Sequence, residues 1–231
     1  MAIDAGDLQA HFADPAAVAR YADGPPRFVP GFADLHRMAA ILLAEVVPDD
    51  ARVLVLGAGG GLELKAFAEA QPGWRFDGVD PAPEMLALAG RTMGPLADRA
   101  RLHCGLIDDA PDGPFDAATC LLVLHFLDAA ERRRTAEAVR ARLKPGAPFV
   151  AAHSSFPQAE PARGRWLDRY AAFAIANGAD PDLAWNARAA VDRSLTLLPP
   201  EADEAILRGA GFRDVAPFYA AFTWRGWVGY A

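Results

Sequence analysis

The chain has 231 residues, 52% of them hydrophobic, and 30 acidic against 23 basic side chains give a formal charge of −7. That length buries a sizeable core without metal or disulfide staples, and the apolar share excludes disordered, collagenous and low-complexity classes. The acidic balance argues against a protein that grips a phosphate backbone, because such proteins cluster Lys and Arg.

Lys65 and Lys144 are the only lysines. The densest basic run, Arg132-Arg133-Arg134 behind Glu131, reads as the solvated face of a helix. A small molecule is therefore the expected partner, and nucleic acid is not. Cys104 and Cys120 lie in apolar stretches with no CxxC and no histidine at ligand spacing, so buried free thiols are expected and no metal site. The first residues show no basic segment leading into an apolar core, and no run of eighteen apolar residues occurs. No membrane span and a cytoplasmic location are the expectations.

Neither an internal repeat nor a Ser/Gly linker divides the chain, so residues 1–231 are read as one domain. Leu35, Met38, Ala39, Leu42, Leu43 and Val46 recur at helical spacing until Pro48-Asp49-Asp50. Arg52 to Leu56 is a short apolar run of the kind expected for a strand covered on both faces. A glycine loop leads into a helix over Leu62 to Ala70, ended by Gln71-Pro72-Gly73. The unit then repeats in kind: strand Trp74 to Asp80, helix Pro83 to Gly90, strand Ala100 to Gly105, strand Phe115 to Leu121, helix Ala129 to Leu143 and strand Ala147 to Ala152. Strand and helix alternating at this pitch imply an α/β fold with a parallel sheet between helical layers.

After His153 the rhythm changes. Trp166, Tyr170, Phe173 and Ala174 form one helical stripe, Leu183, Ala184 and Ala187 a weaker one, and Pro199-Pro200-Glu201 opens a third helix ending at Gly209 or Gly211. Phe212 to Tyr219 and Phe222 to Tyr230 read as a terminal hairpin. The stretch 157–198 is longer than a crossover needs, which leaves material for a lid.

Strand, Gly57-Ala58-Gly59-Gly60-Gly61, then helix lets a backbone approach a ligand closely and aims helix N-terminal amides at it. A P-loop would place lysine directly after the last glycine, where Leu62 stands. A dinucleotide fingerprint would also require glycine or alanine at position 62. The pattern present is G-x-G-x-G. About twenty residues on, the next strand ends in Asp80, where a carboxylate can accept both hydroxyls of a ribose or can cap the helix at Pro83.

With these elements the sequence resembles the class I S-adenosylmethionine (SAM)-dependent methyltransferases. The resemblance is carried by Val53-Leu-Val-Leu-Gly-Ala-Gly-Gly-Gly61, Gly78-Val-Asp-Pro-Ala-Pro-Glu-Met85, Gly105-Leu-Ile-Asp-Asp109, Phe115-Asp116 through Leu121-Leu-Val-Leu-His-Phe126, Arg142-Leu-Lys-Pro-Gly-Ala-Pro-Phe149 and Gly209-Ala-Gly-Phe-Arg213. It implies a Rossmann-like three-layer sandwich around a seven-stranded, mostly parallel sheet of order 3-2-1-4-5-7-6 with strand 7 antiparallel. An N-terminal helical cover over 1–50 and a helical lid over 157–198 would complete it. It further implies S-adenosyl-L-methionine as cofactor, with Gly57, Ala58, Gly59 and Gly61 facing its methionine and ribose parts and Asp80 holding the ribose. Pro81 and Met85 would flank the adenine, Leu106 and Ile107 would cover its other face, and backbone over 106–108 would read its edge. Leu121 and His125 would border the methyl group. Many members carry an acid two residues before the first glycine; here that position is Val55, so whatever that acid contributes to holding the amino group comes from elsewhere, or affinity is lower.

Arg27-Phe-Val-Pro-Gly-Phe32 also resembles the N-terminal part of bacterial carboxy-SAM synthases, in which case Phe32 covers the cofactor; a Pro-Gly turn before a packing helix accounts for it equally. Methyl transfer is an in-line displacement at an activated sulfonium, so a catalytic base is optional. His125 and His153 are the candidate catalytic residues, each on the ligand-binding edge, with helix capping as the alternative for His125. His103 is read as structural, and His11 and His36 as surface or interface residues. Trp166, Tyr170 and Phe173 are read either as acceptor pocket or as core. The Asn/Asp-Pro-Pro-Tyr/Phe signature of amino-group methylation on bases is missing after strand four, where Thr119-Cys120-Leu121-Leu122 stands. The expected activity is methyl transfer to a small-molecule acceptor. A carboxy-SAM synthase-like enzyme and a non-catalytic SAM-binding regulator are the alternatives, and a homodimer is kept open.

Overall fold

A computed structural model describes Val18 and residues 21–231; His11 and most of the N-terminal cover's first twenty residues lie outside the described residues. Seven strands form one sheet of order β3-β2-β1-β4-β5-β7-β6. They are β1 (Arg52–Leu56), β2 (Arg75–Asp80), β3 (Ala100–Cys104), β4 (Ala117–Leu121), β5 (Pro148–Ser154), β6 (Arg213–Ala221) and β7 (Trp224–Tyr230). β1 pairs in parallel with β2 and β4, and β5 pairs antiparallel with β7 from Pro148↔Tyr230 to Ser154↔Trp224. The expected sheet order and the antiparallel seventh strand are therefore present.

Helix α1 (Gly24–Phe28) and α2 (Phe32–Ala44) precede the sheet. α3 (Leu62–Ala70), α4 (Pro83–Met93) and α5 (Ala129–Ala141) link the parallel strands. α6 (Ala162–Ala176), α7 (Pro181–Ser194) and α8 (Pro200–Gly209) lie between β5 and β6. The central strands are buried on both faces, which is why β1 and β4 read as unbroken apolar runs. One core, on the α2 and α3 side, joins Leu35, Leu43, Val53, Val55, Leu64 and Phe67; the other joins Leu54, Phe115, Val139, Phe149, Leu207 and Trp227 beneath α5 and α8.

Several boundaries differ from expectation for local reasons. Phe115 stands ahead of β4 in an isolated parallel bridge to Leu143. β5 runs on through His153 and Ser154, because β7 supplies partners for both. Cys104 ends the edge strand β3 and is exposed, so the expectation of two buried thiols holds only for Cys120. Arg132 does not share the solvated face of Arg133 and Arg134: it is fully buried, and its Nη1 donates to Asp203 Oδ1 at 2.6 Å. Three consecutive residues span about 200° of a helix, so the run reaches past the solvated face, and α8 provides the carboxylate that Arg132 meets there.

Candidate functional site

The C-terminal ends of β1, β2 and β4 open onto one cavity of about 700 Å³. Its floor is the glycine loop. Gly57 and Ala58 donate their amides to Val79 O at 2.8 and 3.0 Å, which draws the loop across β2. Gly57 has φ +77°, and a Cβ there would lie 2.1 Å from Val123 Cγ2, so both conformation and space demand glycine. Asp80, at the end of β2, accepts from Gly59 N at 2.9 Å and from Ala82 N at 3.0 Å. One carboxylate thus sets both the loop and the approach to α4. Burial raises its pKa, and the two amide bonds act in the opposite direction.

After β4 the chain turns at Leu122, which has φ +62°, while its amide donates to Ala152 O at 2.6 Å. A leucine in the left-handed region is a strained position of the kind that collects at functional sites. The turn seats Val123 against Gly57 and brings His125 to the cavity wall. His125 Nδ1 accepts from Ser154 N at 3.3 Å. Burial, with His153 and Arg132 nearby, holds its imidazole well below the ordinary histidine range, so the ring is neutral. A neutral ring that accepts at Nδ1 carries its proton on Nε2. The capping alternative for His125 is overturned, because Asp128 caps α5 in a reciprocal pair with Glu131.

The opposite end of the cavity is aromatic. Phe28 on α1, Tyr170 on α6 and Trp224 on β7 form a wall, with ring centroids 5.1 Å apart for Phe28–Tyr170 and 6.4 Å for Tyr170–Trp224. The wall continues to His125, whose ring meets Trp224 edge-on at 5.7 Å. Main-chain bonds hold it together: Trp224 Nε1 donates to Phe28 O at 3.0 Å and Tyr219 Oη to Pro30 O at 2.5 Å.

A methyltransferase-domain family model matches residues 54–149, from β1 into β5. The carboxy-S-adenosyl-L-methionine synthase of Chromohalobacter salexigens is 27% identical over 229 residues, covering 97% of this chain and 85% of that protein. The matched stretch, residues 54–149, is a methyltransferase domain of the SAM-dependent class. A trans-aconitate 2-methyltransferase of Streptomyces avermitilis is 38% identical over 106 residues, 45% of this chain and 37% of its own length. The solved structure of human N-acetylserotonin methyltransferase in complex with SAM superposes with a TM-score of 0.64 at 15% identity, covering 96% of this chain and 58% of that one. It shares the fold. SAM is the cofactor of this class, and the cavity fits it: the loop where a Cβ has no room, a carboxylate fixed by two amides and the apolar slot of Pro81, Met85 and Ile107 adjoin one another.

Of the cofactor residues expected in this methyltransferase, Phe32, Gly57, Ala58, Gly59, Asp80, Pro81, Met85, Leu106, Ile107, Leu121 and His125 all line the cavity. Gly61 does not. It has φ +79° and a Cβ there would meet Ala89 Cα at 2.7 Å, so its role is close packing of α3 on α4. The Leu106 amide donates to Asp109 Oδ2 at 2.9 Å, which withdraws it from the expected backbone edge-reading group. His153 lies within β5 and away from the cavity lining, with Nε2 3.2 Å from Asp203 Oδ1 and its ring against Trp227, so it is not positioned to meet an acceptor. His36, expected at a surface, is buried on the cavity side of α2 against Phe32, and burial lowers its pKa to about 4. Of the α6 stripe only Tyr170 reaches the cavity; Trp166 stacks under Arg169 and Phe173 meets Phe222.

Sequence reasoning missed several lining residues, among them Phe28, Trp224, Tyr21 and Glu63. Tyr21 packs over Gly59 and Gly60, and no periodicity marks it. Glu63, in the first turn of α3, is buried and accepts from Thr119 Oγ1. An acid there is ordinarily attributed to the helix dipole; its place two residues after a glycine loop was the available signal.

Proposed function

We propose that this methyltransferase transfers the SAM methyl group to a small, largely apolar acceptor held between the glycine-loop edge and the wall of Phe28, Tyr170 and Trp224. The observation that carries the reading is the continuity of the cavity, with SAM-type features at one end and aromatic rings from α1, α6 and β7 at the other. Asp80 would hold the ribose hydroxyls, Pro81, Met85, Leu106 and Ile107 the adenine, and Leu121 and His125 would border the methyl group. SAM supplies an activated methyl on a sulfonium, so the chain's work is to align the acceptor and exclude water. α6 and α7, through Tyr170 and Leu183, and the α1–α2 segment, through Phe28 and Phe32, would serve as the cover. With its proton on Nε2, His125 would donate a hydrogen bond to the acceptor and orient it, and would take no proton from it. Activity would then show no ionisation of His125 between pH 6 and 8.

Carboxy-SAM synthesis, the activity named for the Chromohalobacter relative, would need a cation for the added carboxylate. Arg134 is the basic side chain lining the cavity besides the histidines, and it is exposed and paired with Asp108 at 2.8 Å, whereas Glu63, Asp80 and Glu131 are acidic. That charge balance favours methyl transfer. Among the described residues no helix is long and apolar enough to cross a membrane. Two free thiols, one of them exposed, support a reducing, cytoplasmic setting.

Titration with SAM and S-adenosylhomocysteine, followed by an acceptor panel of phenols, carboxylates and amines with product mass spectrometry, tests the reading. Micromolar binding and a product 14 Da heavier than its acceptor are expected. Retention of carboxy-SAM on purification would favour the synthase.

A further inference from the structure

Val55 leaves the family's usual acid position apolar and fully buried in the core. In the sheet register Val55 lies opposite Thr119 on β4, and Thr119 Oγ1 donates to Glu63 Oε1. Glu63 therefore brings a carboxylate from α3 to the β1–β4 edge at the level where a side chain at position 55 begins. It is 6% exposed, and it lines the cavity together with Gly57, Ala58, Gly59 and Gly60. We propose that Glu63 is the anion that holds the α-ammonium group of SAM, replacing the acid absent at position 55, and that binding expels a proton from it. This rests on the reading of the cavity as the SAM site.

The surroundings of Glu63 support the charge pairing. Among the described residues no Lys, Arg or His forms an ion pair with it. Tyr21, Asp80 on β2 and Cys120 on β4 are the titratable groups that interact with it or share its end of the cavity, and none is cationic. On its own helix, Lys65 lies on the solvent side near Glu69 at 3.9 Å. A desolvated carboxyl with no cation is stable chiefly in its neutral form. Burial raises the Glu63 pKa to about 8, with the Thr119 bond opposing. Near neutral pH the ligand-free protein therefore holds mostly Glu63–COOH. When a cation arrives, the O–H bond breaks, the proton passes to buffer, and the carboxylate pairs with the ammonium.

Calorimetric titration of the full chain at pH 7 in two buffers of different ionisation enthalpy tests this, with SAM, S-adenosylhomocysteine and 5′-methylthioadenosine as ligands. The first two carry the ammonium and the third lacks it. Wild type should release a large fraction of a proton on binding either of the first two and none on binding the third. Glu63→Gln keeps the shape and the acceptor for Thr119. It should abolish the release, weaken SAM and S-adenosylhomocysteine roughly tenfold or more, and leave 5′-methylthioadenosine binding unchanged, which also reports that the variant is folded. The proposal is overturned if wild type releases no proton, if the variant binds SAM as tightly as wild type, or if it loses all three ligands equally. Should none of the three bind wild type, the SAM reading itself falls, an outcome distinct from each of those.

Discussion

The two ends of the cavity are built in different ways. The heart of the cofactor end, its loop and carboxylate, comes from one contiguous stretch, β1 through β2, joined by bonds across some twenty residues, such as Gly59 N to Asp80 Oδ2. The acceptor end joins segments almost two hundred positions apart, through Trp224 Nε1 to Phe28 O and Tyr219 Oη to Pro30 O. The first is a local motif fixed by backbone geometry; the second depends on tertiary closure of the whole chain. Substitutions should therefore separate cofactor binding from acceptor binding according to which end they touch.

The largest expected effect lies where the acceptor cover is fastened to the sheet body. Arg132 donates to Leu127 O, to Thr196 O just beyond α7, and to Asp203 on α8. Burial raises the Asp203 carboxyl, but His153 and Arg132 outweigh it and leave its pKa lowered. Arg132→Met would strand a buried carboxylate and should cost about 3–5 kcal/mol in denaturant unfolding. If the cover were merely draped over the sheet, the loss would stay below about 1 kcal/mol.

Next comes the cofactor end. Asp80→Asn replaces a charged acceptor that holds Gly59 and Ala82. SAM affinity should fall by about 1.5–3 kcal/mol, roughly 10–100-fold, with unfolding stability less affected. An equal loss of acceptor affinity measured at saturating SAM would break the distinction between the two ends.

What was legible in the sequence follows the same division. The glycine loop, Asp80 and the strand order could be read because each is a short-range pattern whose geometry is nearly obligatory. Gly61 reads alike for two roles, because a glycine at a helix start serves close helix packing, as on Ala89, as readily as ligand approach. His153 looked like an edge residue because the antiparallel β7, which extends β5 past it, lies seventy residues downstream. Glu63 escaped notice because helical periodicity says which face a residue takes and not what the neighbouring strand offers it. The Tyr170 contact with Phe28 could not be read at all, since nothing local specifies that α1 meets α6.

Acidity tests the cofactor end without a ligand. Glu63 titrates at about 8 in the fold against an ordinary value of 4.5. The folded state therefore binds more protons than the unfolded chain between those values. Its contribution to stability is complete below about pH 4.5 and declines as pH rises to 8, by at most about 1.4 kcal/mol per unit. His36 and His125 act in the other direction. Their depressed values make the native state lose stability as pH falls below about 6.5. The difference between wild type and Glu63→Gln across pH 5 to 8 isolates the carboxyl; parallel stability curves would show that Glu63 is not desolvated.

The smallest effect should be the most selective. Trp224→Phe keeps an aromatic ring against Tyr170 and His125 and removes only the indole donor to Phe28 O. One neutral hydrogen bond contributes about 1 kcal/mol, so stability should change little. The loss is nevertheless placed where α1 is tied to β7, and α1 carries Phe28 into the acceptor wall. KM for the acceptor should rise severalfold while SAM affinity stays within error, because the glycine loop and Asp80 make no contact with that bond. A matching loss in SAM affinity would mean that the aromatic end also orders the loop, through Tyr21 packed over Gly59 and Gly60 ahead of α1. The two ends would then be one cooperative unit.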